Sequence, residues 1–487
     1  MNLEKQNLNF KLFTKGLKND KIKILCFLDT DQGRDPEILL PVIYFAEEFL
    51  NAEVQFAVNW DIHEIYLKKP QLVLIANTIG SKLHFEISKY AHECGIKVFA
   101  LVSEGNFRTN GTFNYWGFNT DKVFYQEYIC LWSNRTLQFL QNEVPTQAES
   151  MVLTGATGFD RYKIYKFKSR KEFFKDNNLP EYKRVIGYAG WAFGKLFNDQ
   201  GRNEIRFLHK NNPNRLKWME DQMYLVESIL KEAIEKNSDT LFILKRHPNE
   251  ANQSITAKGM NEMMRLADYS NVMYIDKNTG INDFLSVADL WLGFETTTTL
   301  EYWLLKDNPT ILINPDKDFA RDDLHKGSVI VKNYEELQAK IDEFFSTGKV
   351  EDFLIEELKN YRSQFITDIV GFADGFNHLR AGYYLENVVK GIDRNKIVYK
   401  FKFSYWIRHI LVLLGHLLFH EKLFLKIPKV KKHVWIFKIL GFKKTQELKM
   451  EYWAYLRDFY KKNNISDLYE SGMLWEKIGI TKKKNEF

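Results

Sequence analysis

Short apolar runs and amphipathic stretches take turns along the first 165 residues of the chain. IKILCFL (22–28), EVQFAV (53–58), QLVLIAN (71–77) and IKVFALV (96–102) are runs of strand length and β-rich composition. Between them, PEILLPVIYFAEEFLN (36–51) and HFEISKYAHECG (84–95) carry apolar residues at helical spacing, with Pro36 suited to a first turn and Gly95 to a helix end. IHEIYLKK (62–69) predicts a short helix. The alternation starts again at RVIGYAG (184–190), a strand running into a loop at Gly190. It continues through a long amphipathic helix (218–237), strands at 240–247 and 272–276, a helix at 280–288, a strand at 290–294, a helix at 300–306 and a strand at 309–314. Strands alternating with helices predict parallel sheets covered on both faces. The fold class expected is therefore α/β, with two successive doubly wound units.

The 487 residues suffice for two or three domains. The expected division is 1–170, 171–392 and a basic helical extension, 393–487, with the first junction in the charged stretch KFKSRKEFFKDNNLPEYK (165–182). Charge sharpens the third boundary. Residues 395–446 hold twelve Lys or Arg and one acid, Glu421, a net +11, so the rest of the chain carries −5 of the total +6. A basic character confined to one element excludes a chain-wide nucleic-acid role. The longest uncharged run there, 410–420, is too short for a bilayer span of ~20 residues. It suits an interfacial anchor on anionic lipid, or a basic helical pair folded back onto the body. Cys26, Cys94 and Cys130 lie far apart without a CxxC, which implies reducing surroundings and no zinc framework. The first residues, MNLEKQNLNFKLF, have no apolar secretion signal, so a cytoplasmic location is expected.

Candidate chemistry sits where strands end, the usual place for ligands in open α/β sheets. LFILKRHPNE (241–250) ends a strand in Lys245, Arg246, His247 and Pro248, an electropositive floor for a phosphate. GFETTTTLE (293–301) follows a strand and opens a helix, so Thr296 and Thr297 serve either as a cap or as an anion site, with Glu301 in the first turn. VFALVSEGNF (98–107) puts Glu104 and Gly105 at a sharp turn, where a carboxylate can act as general base or simply be a polar loop. MVLTGATGFDRY (151–162) leads from a strand through glycines to Phe159 and Asp160, by itself a loop signal. FLDTDQGRDPE (27–37) clusters Asp29, Asp31 and Asp35 around Gly33 and Arg34; it reads as a substrate loop, a cation site or a solvated turn.

Taken in order, the acidic-Gly turn, the TGxxxFD loop, the HP pair and the threonine run before Glu301 resemble a GT-B glycosyltransferase over residues 20–320. More narrowly they resemble bacterial surface-carbohydrate biosynthesis proteins, and the sialyl- and Kdo-type transferases that use CMP-sugars. The resemblance implies two Rossmann-like domains facing a cleft, the acceptor glycan (free or lipid-linked) in the first and the CMP-sugar in the second. It implies Glu104 as base, although Ser103 stands where the motif has a further acid. It implies His247 at the leaving phosphate, with Lys245, Arg246, Pro248, Gly190, Thr296, Thr297 and Glu301 around the nucleotide, and Asp31, Arg34 and Gly105 on the acceptor side. No cofactor and no metal are expected, because one phosphate can be met by hydroxyls, amides and a histidine. Inversion is expected by analogy, with retention open. The location implied is the inner face of the bacterial cytoplasmic membrane. Two alternatives share the scaffold: a CDP-glycerol or CDP-ribitol polyol-phosphate transferase, and a nucleotide-sugar 2-epimerase.

Overall fold

The strand runs assemble into two six-stranded sheets in which every neighbouring pair is parallel. The structure, a computed structural model, describes residues 21–31, 33–76, 81–103, 123–191, 193–197, 199–208, 213–247, 261–276, 280–294, 296–316, 326–418, 436 and 439–480. Its chain contacts define two units, one from the described parts of Met1–Tyr165 and Asp368–Phe487, the other from Lys166–Thr367.

In the first unit, β1 (Ile22–Leu28), β2 (Ala52–Val58), β3 (Leu72–Ala76), β4 (Lys97–Leu101), β5 (Tyr128–Leu131) and β6 (Met151–Leu153) lie in the order β2-β1-β3-β4-β5-β6. All five residues of β3 are buried, as expected for a central strand covered on both faces. Helix α1 (Arg34–Phe49) starts after Gly33, whose φ of 86° is left-handed, and carries Pro36 in its first turn as expected. The short α2 (Glu64–Lys68) follows β2. In α3 (Lys82–Glu93) the Ser81 hydroxyl accepts from His84 N at 3.4 Å, a side-chain cap. The four-residue β5 went unread in the sequence because so short a run carries no usable period.

The second unit orders β7 (Arg184–Ala189), β8 (Thr240–Lys245), β9 (Val272–Ile275), β10 (Leu290–Gly293), β11 (Thr310–Ile313) and β12 (Val329–Val331) as β12-β11-β10-β7-β8-β9. Its core joins Ile186, Tyr188, Phe242, Leu244, Leu290 and Leu292 to Met223, Val226, Leu230 and Ala233 of helix α4 (Pro213–Lys236). Those four recur every three or four residues, the single apolar stripe that defines a sheet-packing helix. Helix α5 (Thr298–Leu305) follows β10.

The last part of the chain returns to the first unit, so the expected boundary at 392 gives way to one at 367. The reason is local. Helix α6 (Asn377–Lys390) starts on the buried Asp160, whose carboxylate accepts from Asn377 N at 3.2 Å, His378 N at 2.7 Å and His378 Nδ1 at 2.8 Å. Gly382 of α6 lies against Phe45 of α1 so closely that a Cβ would fall 2.7 Å from the ring.

Helix α7 (Phe403–Leu417) and helix α8 (Lys443–Asn463) pack on the same unit. Val398 N donates to Cys94 O at 2.8 Å, Lys402 pairs with Glu93 at 2.7 Å and Arg408 with Glu86 at 3.2 Å. A Cβ at Gly95, left-handed with φ +75°, would sit 2.4 Å from Lys396 O, so the returning chain needs glycine there. On α8, Lys449 reaches Glu47 at 2.6 Å, and Trp453 and Tyr460 ring Tyr44 at 5.2 and 5.0 Å. Among the described residues no helix is long and apolar enough to cross a membrane.

Candidate functional site

In the second unit β10, β7 and β8 are neighbours, so their carboxyl ends are adjacent. β7 leads into Gly190, where a Cβ would lie 1.7 Å from Glu262 Oε1 and 2.9 Å from the Tyr188 hydroxyl. Only glycine fits there, because the Tyr188 hydroxyl donates to the fully buried Glu262 across that point at 2.9 Å.

β8 delivers the cations. Lys245 is 4% exposed, and its ammonium donates to the Arg246 carbonyl at 3.2 Å. Burial holds its pKa down to about 8, with Arg246 pushing the same way and Asp276 opposing. Arg246 is tied to the end of β9: its N–H donates to Ile275 O at 3.1 Å and its guanidinium to Asp276 O. His247 follows, half-buried. Pro248 lies outside the described residues.

On the other side of β7, β10 ends at Gly293 and the threonines begin. Thr296 is buried; its hydroxyl accepts from Thr298 N at 3.2 Å and lies 3.0 Å from Thr298 Oγ1. Trp291 Nε1 donates to Thr298 Oγ1 at 2.8 Å, and Thr299 Oγ1 donates to Thr296 O at 3.3 Å. Three of the four threonines thus knit the start of α5 to β10. Thr297, at the N-cap, is exposed and makes no side-chain cap bond. Glu301 lies half-buried in the first turn.

In the first unit the acceptor-side candidates Asp31 and Arg34 follow β1: the Asp31 carbonyl accepts from Thr445 Oγ1 at 3.0 Å, and Arg34 is exposed at the start of α1. Glu104 and Gly105 lie outside the described residues. A cluster unread in the sequence occupies the ends of the neighbouring strands β1 and β2. Asn59, fully buried after β2, donates through Nδ2 to the Asp29 carboxylate after β1, and Nδ2 lies 2.9 Å from His84 Nε2. A carboxylate only accepts, which orients the amide and makes His84 Nε2 the acceptor of its second N–H. The His84 proton then sits on Nδ1. That nitrogen and Asn59 Oδ1 are buried without a hydrogen-bond partner among the described residues. Burial lowers the His84 pKa, with the Asp29 charge opposing, so the ring is neutral near pH 7. Asp29 remains partly open, its side chain 35% exposed. No motif links positions 29, 59 and 84; only the order β2-β1-β3 brings them together.

No protein-family model and no curated protein matches the chain. Solved structures do. A Listeria monocytogenes protein assigned as a UDP-N-acetylglucosamine 2-epimerase matches at 14% identity over 77% of this chain and 98% of its own, with a TM-score of 0.51. The wall teichoic acid polymerase TagF matches at 11% over 79% and 96%, TM-score 0.49. The UDP-GlcNAc 2-epimerase of Neisseria meningitidis, bound to UDP-GlcNAc, matches at 12% over 76% and 100%, TM-score 0.44. Such identities speak for fold alone: the chain has a GT-B-like architecture of two Rossmann-like units, as the alternation of strands and helices implied.

Proposed function

We propose that the protein is a transferase of surface-carbohydrate synthesis whose donor is a nucleoside diphosphate, a CDP-activated polyol phosphate in preference to the CMP-linked nonulosonic acid expected from the motifs. One observation carries this. Two anion-seeking features, Lys245-Arg246-His247 after β8 and the Thr297 helix start after β10, flank Gly190 from both neighbouring strands. Their strands are two spacings apart, roughly 10 Å. Side chains reaching in from both flanks suit two phosphates in a row better than one.

In this reading the acceptor hydroxyl oxygen bonds the phosphorus that bears the polyol, and the phosphorus–oxygen bond to CMP breaks. The electron pair leaves on CMP, where Lys245, Arg246 and His247 meet the charge. The acceptor's proton goes to a carboxylate. Glu104 is the carboxylate the motif implies for that role. Association with an anionic membrane surface through the C-terminal extension belongs to the same reading.

Thermal denaturation with CMP, CDP, UDP and GDP tests it. A nucleotide at 100 times its Kd adds about 2.7 kcal/mol of stability. CDP should raise the melting temperature most, and Lys245→Met should remove the rise. Equal response to CMP and CDP would restore the CMP-sugar reading. A preference for UDP would favour the epimerase, and no response to any nucleotide would end the proposal.

A further inference from the structure

Away from the strand-end sites, three metal-ligating side chains converge where the C-terminal extension meets the first unit. Asp61 follows β2, Glu64 opens α2, and His409 projects from the middle of α7, 348 residues from Asp61 in sequence. His409 Nδ1 lies 2.7 Å from Asp61 Oδ2 and 3.8 Å from Glu64 Oε1. One ligand atom from each residue lies within 4.8 Å of the other two, and among the described residues no other three His, Cys, Asp or Glu side chains converge in this way. Their side chains are 2%, 17% and 10% exposed for Asp61, Glu64 and His409.

A plain Asp61–His409 hydrogen bond does not account for the cluster. It employs only Oδ2, while Oδ1 of the same carboxylate is buried with no hydrogen-bond partner among the described residues. An orphaned buried acceptor has given up its hydration with no hydrogen bond in return. The neighbouring His63, 2% exposed, also has its Nδ1 buried without such a partner, its ring 5.4 Å from that of His409. Two carboxylates drawn toward one imidazole nitrogen leave a local excess of negative charge that Lys68, 3.0 Å from Glu64, meets on one side only. A divalent ion would engage the carboxylates and the imidazole together.

We propose that Asp61, Glu64 and His409 bind a divalent transition-metal ion, zinc by donor set, which fastens α7 to the first unit. One imidazole nitrogen and two carboxylate oxygens make a three-ligand set that zinc accepts, with water completing the tetrahedron. Magnesium and calcium prefer oxygen alone. Ligands so far apart in sequence make the ion a staple: it binds only while the extension is docked, so it stabilises the docked state.

The test uses the full-length protein, stripped with chelator and titrated with zinc chloride by calorimetry, with magnesium chloride as the comparison. One zinc per chain is expected, with a rise in melting temperature and no comparable response to magnesium. His409→Gln should abolish both effects. Glu64→Gln is the sharper variant, because it leaves the Asp61–His409 hydrogen bond in place. It should melt like the metal-free parent yet bind zinc at least tenfold more weakly. If the parent binds no zinc, or Glu64→Gln binds it as tightly as the parent, the cluster is a hydrogen-bonded latch and the metal site is refuted.

Discussion

In the proposed nucleotide reading, Lys245 is the residue whose protonation tunes the anion site of the second unit. Its ordinary value of 10.5 falls to about 8 because the ammonium is buried beside Arg246. A lysine depressed in this way costs the fold stability wherever it must stay charged, fully so below pH 8. Between about 8 and 10.5 the unfolded chain holds the proton and the folded chain has released it, so this residue makes stability rise with pH there. Nucleotide binding runs the other way. A bound phosphate stabilises the ammonium, so affinity for CDP should fall above pH 8, at most about tenfold per pH unit. Arg246 and Asp276 are the charged groups acting on Lys245, in opposite directions. Calorimetric titration with CDP between pH 7 and 9.5 checks this, and Lys245→Met should flatten the profile and weaken binding at pH 7. A profile equally steep in the variant would assign the proton elsewhere. Residues of this kind are legible in a sequence because one strand carries them together: a run ending in Lys-Arg-His announces its own chemistry. The Asp29 cluster does not: Asp29 reads as one of three aspartates in a loop, and Asn59 and His84 are ordinary polar residues until strand order places them beside it.

At the scale of elements, the apolar periods placed ten of the twelve strands' neighbourhoods, all but β5 and β12, and most of the helices between them, but not the return of the chain after residue 367. Composition changes after 390, and that shift suggested a boundary there, whereas α6 is tied to the first unit by Asp160 at its start and by packing on α1. In the sequence Asp160 only closes a glycine loop. In the fold its carboxylate receives two backbone N–H groups at the start of α6 and the ring of His378, all buried. Removing one partner of such a pair leaves the other polar groups buried without it, a loss of about 3–5 kcal/mol. Asp160→Ala should therefore lower the stability of the first unit by that amount. Urea unfolding followed by tryptophan fluorescence measures it, because Trp132, 5.4 Å from Phe159, reports on this unit. A loss under 1 kcal/mol would show that α6 is held mainly by its apolar contacts with α1, such as Gly382 on Phe45.

For the whole molecule, the described part of the extension packs on the first unit, and that packing is compatible with the membrane-anchor reading also left open by its sequence. Helix α7 buries Tyr405, His409 and Val412, spaced by four and three residues, and its Arg408 and the preceding Lys402 pair with Glu86 and Glu93. The opposite arc is also apolar. Phe403 is 64% exposed, Leu411 51%, Leu414 46% and Leu417 77%, with Trp406 and Ile407 between them. A helix apolar on both faces, fixed to a domain by one of them, is suited to enter the headgroup boundary with the other. In sequence the 395–446 segment has a net charge of +11, and each Lys or Arg near an anionic surface contributes about 1 kcal/mol. The protein should therefore bind vesicles of 3:1 phosphatidylcholine and phosphatidylglycerol, bind pure phosphatidylcholine poorly, and detach as sodium chloride is raised. Leu411→Glu with Leu414→Glu should cut binding at least tenfold, since burying one leucine side chain is worth about 1.5–3 kcal/mol. Both positions are exposed, so the melting temperature should hold, which separates loss of the surface from loss of the fold. Co-sedimentation that ignores lipid charge, or a double variant that binds like the parent, would leave the apolar arc of α7 without this role. In that case the basic residues would act only as partners for the acids of the first unit.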